Sequence, residues 1–132
     1  MSVGVWKPSG QVQVKSIDVE LLKRFINVAN ELGEDINADS LQAQDMASTS
    51  WVMNLDRDAW SVSAELSSEQ LKVLIRWFTL VEENVQGWEA GNKSPVIALV
   101  SQLKARGEFE GELRKWIKST TTNRYLPYGS AL

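Results

Sequence analysis

Apolar residues return every three or four positions through residues 67–84, SSEQLKVLIRWFTLVEEN. Leu71, Leu74, Ile75, Phe78 and Val81 fall on one helical face. Val73, Trp77 and Leu80 widen it until only Glu69, Lys72, Arg76 and Thr79 leave a wet strip. A helix that apolar has to be covered on most sides, so the pattern predicts the central helix of a core. Ser67 or Ser68 can cap its start. Ser67 with Gln70 fits a capping box, in which each side chain satisfies a free backbone N–H of the other residue.

A similar period marks residues 17–32, where Leu21, Leu22, Phe25, Ile26, Ala29 and Leu32 make a buried face. Asp18 and Glu20 suit the positive N-terminal end of that helix, and Gly33 is its stop. Residues 33–50 are polar and weakly periodic. Within them Leu41 to Met46 predicts a short helix capped by Asp39 or Ser40, and residues 51–65 predict a helix opening near Asp56. After the central helix, Gly87 and Gly91 bracket a loop holding Trp88, Glu89 and Ala90. Ser94-Pro95 then reads as a helix start, with serine as the cap and proline at the first helical position, where a missing N–H costs nothing. Val96, Ile97, Leu99, Val100 and Leu103 are its apolar side, and Lys104, Arg106 and Gly107 close it. A last helix over residues 109–119 carries Phe109, Leu113, Trp116 and Ile117.

At the N-terminus, Val3, Val5, Val12 and Val14 alternate around Lys7-Pro8-Ser9-Gly10, the pattern of a short hairpin, with a loose arm as the alternative. Beyond residue 123 the tail cannot continue a helix past Pro127, yet it carries Tyr125, Leu126 and Tyr128, which suit anchoring. The expected fold is therefore all-α: one domain over residues 1–132, a single compact bundle of about five helices. An arm or short β-hairpin (1–15) and a C-terminal tail (123–132) flank it.

Composition narrows the chemistry. The 132 residues contain no cysteine and no histidine, so disulfides, thiol catalysis, the commonest proton shuttle and the commonest zinc ligand are all excluded. No apolar run approaches the roughly 18 residues of a membrane span, and no basic-then-apolar leader opens the chain. A cytoplasmic protein, full length from Met1, is the expectation. The six tryptophans are spread along the chain, which favours core and half-buried positions over a repeat motif. Charge is uneven: residues 1–92 hold 7 basic and 14 acidic side chains, and residues 93–132 hold 7 and 3. Lys104, Arg106, Lys115 and Lys118 sit late in their helices, where the macrodipole alone favours cations, so a nucleic-acid surface is the less favoured explanation.

Four stretches resemble chemical motifs. GWEAGNKS (87–94) has the outline of a phosphate-binding loop, but Asn92 replaces its second glycine, a helix precedes it, Glu89 repels phosphate and Pro95 removes an amide. Asn54, Asp56, Asp58 and Glu65 have calcium-loop spacing, but Ala59 stands where the sharp turn needs glycine. Ser101 and Lys104 match S-x-x-K without its partner motifs. Glu82 and Glu83 are adjacent on a helix, about 100 degrees apart, and read as a solvated helix end rather than a catalytic pair. No catalytic residue, metal ligand or cofactor is assigned.

The segments LIRWFTLVEENVQGWEAGNKSPVI (74–97) and NRYLPYG (123–129) resemble a group of small, uncharacterised bacterial proteins. That resemblance covers the C-terminal half and implies a bacterial, cytosolic, helical protein, with no activity attached. The preferred reading is a non-catalytic adaptor or regulatory protein that binds another protein, or a second copy of itself, away from any membrane. The alternative is a small-ligand or anion-binding module at loop 87–94. The candidate binding residues are Trp88, Glu89, Lys93 and Ser94 in the loop and Arg124, Tyr125 and Tyr128 in the tail.

Overall fold

The structure is a computed structural model and describes residues 16–123. The expected hairpin over residues 1–15 and the tail from Arg124 onward lie outside the described residues. Among those described, every regular element is helical, and the fold is all-α.

Helix α1 (Val19–Leu32) starts where Asp18 accepts the Leu21 amide at 2.9 Å. It stops at Gly33, which takes φ 62° while its N–H reaches back to Ala29. Helix α2 (Ala38–Ala43) begins earlier than the expected Leu41–Met46 segment, and neither Asp39 nor Ser40 is its cap. Asn37 caps it instead, and Asn37 and Ser40 exchange backbone-to-side-chain bonds of 2.9 Å each. This is a capping box with serine where glutamate or glutamine is usual.

The helix expected near Asp56 is not an α-helix. Residues Ala47–Asn54 and Arg57–Glu65 are two 3-10 stretches, longer than the three or four residues such turns commonly run. Hydroxyls reinforce both: Thr49 Oγ1 donates to the Met46 carbonyl at 2.6 Å and Ser63 Oγ to that of Trp60 at 2.7 Å. At three residues per turn, Met46, Thr49 and Val52 and then Trp60, Ser63 and Leu66 make inward rows, with Met53 buried beside the first.

Helix α3 (Ser68–Asn84) opens with the expected box, Gln70 N–H to Ser67 Oγ at 3.1 Å and Ser67 N–H to Gln70 Oε1 at 2.9 Å. It packs against α1, against α4 (Pro95–Ala105) and against α5 (Gly111–Thr120). Leu71, Leu74, Ile75, Trp77, Phe78 and Val81 are all fully buried. Thr79, expected on the wet strip, is buried too, because its hydroxyl is spent on the Ile75 carbonyl at 2.7 Å. Phe78 is the aromatic hub: Phe25 meets it edge-on at 5.5 Å and Trp60 at 5.2 Å, while Phe25 stacks on Trp77 at 5.7 Å.

The polar seams are short. Arg106, at the end of α4, donates to the Ala64 carbonyl and to Ser68 Oγ, each at 3.2 Å. Lys72 Nζ lies 3.3 Å from Glu69 and 3.1 Å from Glu110, tying the start of α3 to the start of α5. Phe109, expected inside the last helix, precedes it and is half-buried.

Phe78→Ala should cost about 3–5 kcal/mol, the sum of lost burial and the cavity left between the Phe25 and Trp60 rings. Urea unfolding of parent and variant measures it, and a cost below about 1 kcal/mol would contradict the hub.

Candidate functional site

Two carboxylates at the end of α3 gather three distant segments. Glu82, expected on a solvated helix end, is only 7% exposed. Ser94 Oγ donates to its Oε2, Asn123 Nδ2 to its Oε1 at 3.1 Å, and the Ala90 amide to the same oxygen at a long 3.5 Å. Asn123 Nδ2 also reaches the Gly91 carbonyl at 3.0 Å. Glu83, next along the helix and half-buried, accepts the backbone N–H of Thr122 and its hydroxyl, the latter at 2.7 Å. Loop 87–94, the start of α4 and the chain leaving α5 therefore meet at one helix end.

Ser94 has two tasks there. Its hydroxyl caps α4 by accepting the Val96 N–H at 3.2 Å, and it donates to Glu82. The positive end of α4, where an outside anion was one expectation, thus already faces a carboxylate of the protein itself. Burial raises the pKa of Glu82 above the ordinary 4.5, the donors from Ser94, Asn123 and Ala90 oppose that rise, and neighbouring Glu83 adds to it. Among the described residues no Lys or Arg stands within ion-pair distance of Glu82.

The loop spends its amides internally. Gly87 N–H goes to Glu89 Oε1 at 3.0 Å, Trp88 N–H to the Val85 carbonyl at 3.2 Å and Lys93 N–H to that of Ala90 at 2.9 Å. Ser94 N–H goes to the Gly91 carbonyl at 3.2 Å. Gly87 and Gly91 both take positive φ, 95° and 56°, which explains why glycines bracket the loop. A phosphate cradle needs amides that converge on open space; these converge on the protein's own acceptors.

The four candidate residues of the loop do not form one site. Trp88 is buried and lines a hollow of about 340 Å3 with Leu41, Ala47 and Val85. Lys93 and Ser94 line a separate cleft of about 350 Å3, with Asp56, Arg57, Trp60, Asn92 and Ala98. Lys93 Nζ pairs with Asp56 at 3.5 Å, and Glu89 is exposed. Arg124, Tyr125 and Tyr128 lie outside the described residues. Of the calcium-spaced acids, Asp56 serves Lys93, and among the described residues no group of three or more acidic side chains is placed to hold a metal ion.

A third depression lies between the end of α1 and helices α3 and α5. It holds about 190 Å3, floored by Trp77, Ile36 and Leu80 and walled by Val73 and the half-buried Trp116. The Arg76 guanidinium stands 5.9 Å over the Trp116 ring at its rim, with Glu34 and Asn30 nearby. Sequence reasoning did not single out this groove, although Val73 and Trp116 each sat at the edge of an apolar stripe. Of the basic C-terminal third, Arg106 and Lys93 are engaged in the fold, while Arg114, Lys115 and Lys118 are exposed on α5. No helix among the described residues is long and apolar enough to cross a membrane. No family model, curated protein or solved structure matches the chain.

Replacing Glu82 separates its acceptor role from its charge. Glu82→Ala leaves Ser94 and Asn123 without their acceptor and should cost about 1–3 kcal/mol. Glu82→Gln keeps an acceptor and removes the buried charge, so its urea midpoint at neutral pH should equal or exceed the parent's. A Gln variant as weak as the Ala variant would show that the charge itself stabilises the fold.

Proposed function

We propose that this chain is a non-catalytic binding protein whose groove between α1, α3 and α5 receives a large apolar side chain of a protein partner. The observation that carries this reading is Trp116, half-buried and held by Arg76 at the wall of an apolar depression of about 190 Å3. That volume suits one anchoring side chain, and aromatic and arginine residues at a pocket are what strong protein contacts commonly use. Arg76 would meet an acidic group beside that anchor. A second copy of the chain is a variant of the same reading. The fuller picture is a small bacterial, cytoplasmic adaptor or regulator built as a single compact bundle. The tail residues Arg124, Tyr125 and Tyr128 would add to the contact surface.

Trp116→Ala, at a side chain that also packs on the core, should reduce capture of the partner from the native host by about 30-fold, a loss of about 2 kcal/mol at the groove wall, when assayed well below the variant's melting temperature. Quantitative mass spectrometry of parallel pull-downs measures it. Identical captured sets from parent and variant would end the reading.

A second reading rests on the cleft beside Lys93. Arg57 lines it, and among the described residues its guanidinium makes no hydrogen bond or ion pair, which leaves it for a carboxylate or phosphate on a small ligand. Titration with inorganic phosphate, followed by tryptophan fluorescence, should give a response that Arg57→Ala abolishes. Silence at millimolar phosphate would exclude that anion.

A further inference from the structure

The chain leaving α5 is fastened directly over the buried carboxylate. Thr121 is buried, Thr122 is held by Glu83, and Asn123 spans Glu82 Oε1 and the Gly91 carbonyl. Detaching these three residues would remove one of the donors to Glu82 and open its surroundings to water. A carboxylate in water keeps its charge at little cost, whereas the same charge buried without a cation is expensive. The attached and detached arrangements therefore bind the Glu82 proton with different strength.

We propose that Thr121–Asn123 is a latch, closed over Glu82 most tightly when that side chain is protonated and loosened when it is ionised. The proton has a place in the closed state. Ser94 Oγ can rotate to accept the carboxyl O–H instead of donating its own, while Oε1 goes on accepting from Asn123. Among the described residues no cationic side chain pairs with the ionised form, which meets only the partial charge at the start of α4. On α3 the neighbour is Glu83, of like sign; in the loop Glu89 turns to Gly87 and Lys93 to Asp56. Neither Thr121–Asn123 nor α4 before Lys104 carries a charge, and α5 contributes the exposed Glu112, Arg114, Lys115 and Lys118.

The direction follows from linkage. Burial raises the pKa of Glu82 in the closed state, and opening returns it toward the ordinary 4.5. A group whose pKa is higher when closed favours closure below the ordinary value and loses that contribution as pH rises through the raised one. Each unit of separation between the two values changes the closing equilibrium by about tenfold.

Two linked titrations on the intact chain test this. The first follows the 13C signal of the Glu82 side-chain carboxyl, and the second the amide-exchange protection of Thr122 and Asn123, over the range from 4.5 to neutrality. Protection factors should rise as pH falls, and Glu82→Gln should hold them high and flat. Thr122→Pro, which removes the N–H and hydroxyl that Glu83 accepts and so frees the segment while keeping Asn123, should lower the Glu82 midpoint toward 4.5. Parent protection that does not change with pH, or a Glu82 midpoint that stays put or rises in Thr122→Pro, would overturn the latch.

Discussion

Burying Glu82 at the end of α3 obliges the rest of the chain to bring donors to it. They come from residues 8, 12 and 41 positions away in sequence, which fixes a loop, a helix start and the segment after α5 in one place. The aromatic packing around Phe78 holds the helices together, but it is tolerant of direction. The carboxylate is not: its oxygens accept only where donors point at them, so it specifies one arrangement among several that the apolar core would allow. The same residue supplies the negative charge that the start of α4 would otherwise seek from a ligand.

How much of this the sequence announces depends on where each signal comes from. Helices α1, α3 and α4 are legible because both their stripes and their punctuation are local: Ser67 with Gln70, Ser94 with Pro95, and Gly33 at positive φ. Residues 47–65 are not, since their buried positions recur at three, a period that mimics a weak helix and hides Trp60, Ser63 and Leu66 as one inward row. The α2 cap is hidden for a similar reason, a serine doing what glutamate usually does.

The site was the least legible part. Glu82-Glu83 at a helix end looks solvated, because neither Ser94 nor Asn123 is near it in sequence and nothing local predicts that they converge. Loop 87–94 stands out in the sequence by its glycines and tryptophan, but its residues divide: Trp88 turns into the body, Lys93 to Asp56, and Ser94 to Glu82. The groove beside Trp116 arises only when the end of α1, α3 and α5 come together. Val73 and Arg76 on α3 carry no hint of it alone.

The most direct measurement of the Glu82 constraint is a double-mutant cycle by urea unfolding, pairing Glu82→Ala with Asn123→Ala. Residues that share a hydrogen bond should couple by about 0.5–3 kcal/mol, and the two losses should fall short of adding. Costs that sum to within about 0.3–0.5 kcal/mol would mean that the two ends of the chain meet without depending on each other.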